Sequence, residues 1–144
     1  DMLHLHYPAA SLNRFSFTPS FMYSVDDYLL SFGVLKASIE AYVPEYVDAS
    51  QNPYVSPLLF PPEILVNFPK TEVFVCERDP LRDDGLRLVL KLLKVGVRCK
   101  IVYFKYVSHG ILNLCMRFGL PEAQAFELKI RESLEGHLKG KFTW

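Results

Sequence analysis

The sequence predicts an α/β fold built on a short parallel sheet, and three observations carry that prediction. Glu72-Val73-Phe74-Val75-Cys76 is a nearly continuous β-branched and aromatic run, the pattern of a strand buried on both faces. Leu86, Val89, Leu90 and Leu93 then recur at i, i+3, i+4, i+7, opposite Arg87, Lys91 and Lys94, with Gly96 placed for a left-handed helix end. Arg98 to Phe104 alternates as a second strand. A strand, helix, strand order demands a right-handed parallel crossover.

The remaining elements follow in chain order. Met2 to His6 alternates Leu and His and reads as a short strand stopped by Tyr7-Pro8, where the proline ring removes a ladder donor. Ala9 to Tyr23 mixes aromatic, Ser, Thr and Pro residues without a period and reads as a loop. Ser24 to Asp27 resembles a capping box, and Leu30, Val34, Ala37 and Ala41 predict a helix over 27–42. Four prolines (Pro53, Pro57, Pro61 and Pro62) make Tyr46 to Pro62 an irregular connection, followed by a short helix over 62–67. Pro121 at a first-turn position, then Ala123, Phe126, Ile130 and Leu134, predicts a final helix ending before Gly136.

Composition excludes several classes. The 144 residues are 50% apolar and 22% charged, too rich in core material for disorder, and their number fits one core. Sixteen Lys and Arg balance sixteen Asp and Glu without a basic cluster, which leaves no footprint for nucleic acid. No apolar run approaches the roughly 18 residues of a transmembrane helix. Three widely spaced cysteines (Cys76, Cys99 and Cys115) suit reduced, inert thiols in a cytoplasmic setting. His4 and His6 share one side of a strand, but no carboxylate or thiol nearby is expected to complete a metal set, so packed or hydrogen-bonded imidazoles are expected.

In open parallel sheets, functional groups gather where loops leave the carboxyl ends of strands. Asp79-Pro80 follows one strand here, and Ser108-His109-Gly110 follows the next. Singly, Asp79 reads as a turn residue and His109 as a polar loop residue. If the strands are neighbours, the two emerge together, and a buried carboxylate beside an imidazole fixes its tautomer and leaves Nε2 as a general base.

Several segments share their order and intervals with a known family. They are Tyr7-Pro8-Ala9, the stretch from Asn52 to Leu58, Asp79-Pro80-Leu81-Arg82-Asp83-Asp84-Gly85, the leucine-rich helix closing in Gly96, and His109-Gly110. Together they resemble the C-terminal part of the hormone-sensitive-lipase-like α/β-hydrolases, the specific element being Asp-Pro-Leu-Arg-Asp 30 positions before His-Gly. The resemblance implies an incomplete sheet: the last three parallel strands, with flanking helices, of a single catalytic domain that continues upstream. It implies Asp79 as triad acid and His109 as base, Leu81 and Ile111 beside the substrate, and residues 9–71 as a crossover carrying pocket or lid elements. Asp83 and Asp84 are expected instead to cap the next helix. The activity implied is carboxylic-ester hydrolysis of a small or lipid ester without cofactor or metal, in the cytoplasm and in association with lipid droplets.

The nucleophile is not among these residues. A strained elbow needs G-x-S-x-G, and none of the seven glycines flanks a serine in that way. No His-Gly-Gly segment is present to supply oxyanion donors. Both are expected upstream, so these residues alone are expected to be inactive. A non-catalytic binding protein is the competing reading, since plant gibberellin receptors resemble the family yet lack the catalytic histidine; His109 argues against it. Ile111 stands where the family commonly has Phe, which keeps an apolar wall without an aromatic face. Phe15, Phe17, Phe21 and Tyr23 are expected either to cover the sheet or to touch lipid.

Overall fold

Strands β1 (Met2–His6), β2 (Lys70–Arg78) and β3 (Cys99–Ser108) pair in the order β1-β2-β3, every pair parallel. The computed structural model describes residues 1–13, 16–113 and 119–140, so the expectations for Phe15 and Cys115 lie outside the described residues. The chain divides between His109 and Gly110 into two compact units.

The central strand carries the first unit. Val73, Phe74, Val75 and Cys76 have no exposed surface, as the continuous apolar run requires. On one face, Val73 and Val75 pack with Val89 of α4 (Arg82–Lys94), flanked by Leu5 and Leu86. The contact face of α4 differs from the predicted stripe: Gly85, Leu88, Val89 and Leu92 are buried, whereas Leu90 and Leu93 are 57% and 49% exposed. The spacing is unchanged but begins one residue earlier, because the approach is closest at Gly85. A Cβ there would lie 2.9 Å from Val75 Cγ1 and 3.6 Å from Pro8 Cδ. Gly96 ends the helix at φ +84°, the left-handed conformation its position predicts.

The opposite face of the sheet is partly polar. Glu72 has no exposed surface; its register partners His4 and Lys100 place Nδ1 at 3.5 Å and Nζ at 3.4 Å from its carboxylate. A carboxylate therefore does stand beside His4, brought there by strand pairing rather than by sequence proximity. His4 stacks on Phe74 at 5.9 Å and His6 meets the same ring edge-on at 5.1 Å. Among the described residues no group of three or more His, Cys, Asp or Glu side chains is placed to hold a metal ion.

The crossover from β1 to β2 is more ordered than its composition suggests. Within the expected loop, Pro19–Tyr23 forms helix α1, with Thr18 Oγ1 accepting the Phe21 N–H and Pro19 in the first turn. Helix α2 covers Phe32–Tyr42 and starts later than predicted. The Asp27 carboxylate is taken by the N–H groups of Leu29 and Leu30, so Ser31 becomes the cap. Leu30, Leu35, Ile39 and Val43 form a core with Leu81. A 3₁₀ turn (Pro57–Leu59) and helix α3 (Pro62–Leu65) complete the crossover, tied to α4 through Lys91 Nζ and the carbonyls of Leu58 and Phe60.

The second unit contains α5, Pro121–Leu138, which continues through Gly136 instead of ending before it. An interior glycine costs only about 1 kcal/mol, and the positive-φ terminator is Gly140 at +65°. Glu127–Arg131 and Glu135–Lys139 pairs, both at 2.8 Å, add i, i+4 support in the favourable direction.

Candidate active site

Asp79 leaves the carboxyl end of β2 and is fully buried. One of its carboxylate oxygens, Oδ1, accepts the Leu81 N–H at 2.7 Å, and its carbonyl accepts the Arg82 N–H at 3.0 Å. The turn into α4 therefore fixes the carboxylate before any partner is considered. The other oxygen, Oδ2, lies 3.0 Å from His109 Nδ1, and the His109 side chain keeps 22% of its surface. With Asp79 ionised the shared proton belongs on Nδ1, which gives Nε2 the lone pair.

The third neighbour is one that sequence reasoning missed. The Tyr7 ring meets the His109 imidazole edge-on, 4.6 Å between centroids. Tyr7 holds φ +38°, a left-handed backbone for a non-glycine residue, and its N–H donates to the Phe74 carbonyl at 2.7 Å. Burial pushes the Tyr7 hydroxyl pKa up, with a further upward push from the nearby Asp79 carboxylate. The signals for Tyr7 were its position at the carboxyl end of a strand and its place in Tyr7-Pro8-Ala9, which read as a strand's stop and as part of the family resemblance but not as a neighbour of His109.

One concavity borders His109, and a second shares Leu35, Ile39 and Leu81 with it. The first, of about 680 Å³, is bordered by Tyr7, His109, Leu30, Tyr42, Tyr54 and Leu81. The second, of about 360 Å³, is lined by Leu35, Ile39 and Leu81 together with Phe17, Phe21 and Phe32. Leu81 therefore borders both, whereas Ile111 is buried and belongs to the second unit.

Asp83 and Asp84 do occupy the first turn of α4, but their carboxylates serve other segments than its own N–H groups. Asp84 Oδ2 accepts from Ala10 N at 3.0 Å and Ser11 N at 2.8 Å, and Asp83 Oδ2 accepts from Ser20 N at 2.9 Å. Ser20 Oγ returns the contact, accepting the Asp83 N–H and donating to the Pro80 carbonyl. These acids pin the segment after β1 and the start of α1 against the turn that carries Asp79. Burial raises the Asp84 pKa above its ordinary value, against the pull of the two N–H donors and Arg87. The Cys76 thiol is pushed up to about 12, first by burial and then by the charges of Asp79 and Asp27, so it stays protonated and unreactive.

Comparison with known proteins bears on the fold and the family. A family model described as alpha/beta hydrolase fold matches residues 1–113. Neutral cholesterol ester hydrolase 1 of Rattus norvegicus is 37% identical over 98 residues, 67% of this chain and 22% of that protein. Hormone-sensitive lipase of Homo sapiens is 33% identical over 64 residues, 44% of this chain and 6% of that protein. The hyperthermophilic esterase of the archaeon Pyrobaculum calidifontis superposes with a TM-score of 0.81 at 29% identity, over 96% of this chain and 42% of the esterase. The fold is that of an α/β hydrolase, present in part. The chain belongs to the hormone-sensitive-lipase-like α/β-hydrolases, a family of esterases and lipases. It spans about a fifth of the rat relative's length and less than half of the archaeal esterase.

Proposed function

We propose that these residues are the acid–base part of a serine-dependent carboxylic-ester hydrolase, with Asp79 as triad acid and His109 as triad base. The observation that carries the reading is the 3.0 Å contact between His109 Nδ1 and the fully buried Asp79 carboxylate, at the ends of paired strands. The nucleophilic serine and the oxyanion donors come from outside these 144 residues, which hold no G-x-S-x-G. His109 Nε2 takes the serine proton as the hydroxyl oxygen attacks the ester carbonyl, then returns that proton to the departing alkoxide. Water repeats the sequence on the acyl-enzyme, and Asp79 stabilises the imidazolium formed in each half.

The cavity beside His109 receives one arm of the ester. Residues 9–71 supply much of its wall through Leu30, Tyr42 and Tyr54, together with Leu81. Relatives named for cholesterol ester hydrolysis and lipase activity support an ester of a lipid alcohol or fatty acid as substrate. Phe17, Met22, Tyr23 and Tyr28, each 60% or more exposed, support peripheral contact with a lipid surface such as a droplet. No helix among the described residues is long and apolar enough to cross a membrane. A receptor-like binding protein would need no buried acid held against an imidazole, and that contact favours the enzyme.

In the full-length protein, His109→Ala and Asp79→Asn are each expected to lower kcat for a short p-nitrophenyl ester by about 10³- to 10⁴-fold. Turnover within a few-fold of the unsubstituted protein in either variant would remove that residue from the triad. The 144-residue chain alone is expected to hydrolyse the same ester no faster than free imidazole.

A further inference from the structure

The contact between Asp79 and His109 depends on an irregularity in β3. From Thr71↔Cys99 to Cys76↔Phe104 the partners of β2 and β3 are offset by 28 positions, but at Arg78↔Ser108 the offset is 30. Continued without the irregularity, the first register would set Val107 opposite Asp79. The two extra residues of β3 set His109 there instead.

The irregularity has a strained centre and one carboxylate on it. Tyr106 adopts φ +64°, the left-handed region that costs a non-glycine residue, and the residue is 72% exposed, so burial does little to hold the conformation. Its N–H donates to Glu77 Oε2 at 2.8 Å. Glu77 is itself the β2 residue skipped between the paired positions Cys76 and Arg78. Its own carbonyl accepts from Arg82 Nη1 at 3.2 Å, which ties that point of β2 to the first turn of α4. A bulge of this kind leaves backbone groups without ladder partners, and a carboxylate supplies the acceptor that the neighbouring strand no longer does.

We infer that Glu77 is a positioning residue: by holding the Tyr106 N–H it maintains the register shift that places His109, rather than Val107, against Asp79. The inference rests on reading Asp79 and His109 as the acid–base pair, and its test separates the two. In proton NMR of the full-length protein, a His109 Nδ1 proton bound to a carboxylate gives a strongly deshielded resonance, lost in His109→Ala. Glu77→Ala is expected to abolish that resonance and to speed Tyr106 amide exchange by about tenfold, the size of one lost charge-assisted hydrogen bond. Glu77→Gln, which keeps an acceptor oxygen, retains the resonance. Adding Tyr106→Gly to Glu77→Ala restores it, because glycine occupies the left-handed conformation without penalty. Persistence of the resonance in Glu77→Ala, or its loss there without recovery on Tyr106→Gly, overturns the role of Glu77. Absence of the resonance from the unsubstituted protein contradicts the acid–base pair instead, and the Tyr106 exchange rates then still report whether Glu77 holds the bulge.

Discussion

Asp84 and Asp79 lie five positions apart in one turn, and each carboxylate has a different task. Asp79 faces an imidazole; Asp84 accepts two backbone N–H groups from the segment after β1. Asp84→Ala leaves the Ala10 and Ser11 donors without that acceptor and is expected to cost about 3 kcal/mol in urea unfolding. Asp84→Asn keeps an oxygen there and is expected to cost less than about 1 kcal/mol near neutral pH. The sign of the pH dependence follows from the raised pKa. The folded chain holds the Asp84 proton at pH values above 3.8 where the unfolded chain has released it, so this group's contribution falls as pH rises through that window. Relative to Asp84→Asn, the unsubstituted chain is expected to gain stability on acidification from about pH 7 to about pH 4. A relative loss over that range would mean that the N–H donors outweigh burial.

Gly85 and Gly33 distinguish a glycine that packing requires from one that it does not. Gly85 lies where α4 approaches β2, and an added methyl meets Val75 at 2.9 Å; Gly33 in α2 has nothing within 4 Å. Gly85→Ala is expected to destabilise by about 1–3 kcal/mol through overpacking, and Gly33→Ala to stabilise by about 0.5–1 kcal/mol through helix propensity, both read by thermal unfolding. Equal effects would show that the approach at Gly85 relaxes freely. Element by element, what the sequence made legible was whatever had a period or a punctuation mark. The central strand showed as a continuous apolar run, β1 as an alternation ended by Tyr7-Pro8, and α4 as a leucine repeat closed by Gly96. Helix α1 has five residues, too few to display a helical period, and it exists because Thr18 caps it and Ser20 is bound to the turn after β2. The rotation of α4 was misread because Gly85, having no side chain, added nothing to the apolar stripe while marking its centre. Asp79 and His109 were legible through their place after strand ends and through family resemblance. Tyr7, Glu77 and Tyr106 were not, because ring contact and bulge geometry are set by pairing between strands distant in sequence.

At the scale of the whole molecule, the sheet has two edge strands, β1 and β3, and much apolar surface outside its core. Tyr23, Tyr28, Tyr42, Tyr46 and Tyr54 are 71% to 104% exposed, and Ile101 and Tyr103 of β3 are 39% and 43% exposed. Edges and patches of this kind favour association. Sedimentation velocity on the 144-residue chain is expected to show a mean mass that rises with concentration. A constant monomer mass across the series would mean that the exposed residues are too scattered to act as one surface. The same assembly carries the central functional claim, that Asp79 and His109 act as one unit delivered by two paired strands. The most direct measurement is a double-mutant cycle in the full-length protein, comparing kcat for a short p-nitrophenyl ester in Asp79→Asn, His109→Ala and the combined variant. Residues that act as a unit give strongly non-additive losses, so the combined variant is expected to be no slower than His109→Ala alone, within about threefold. A combined loss equal to the product of the two single losses would contradict the pair.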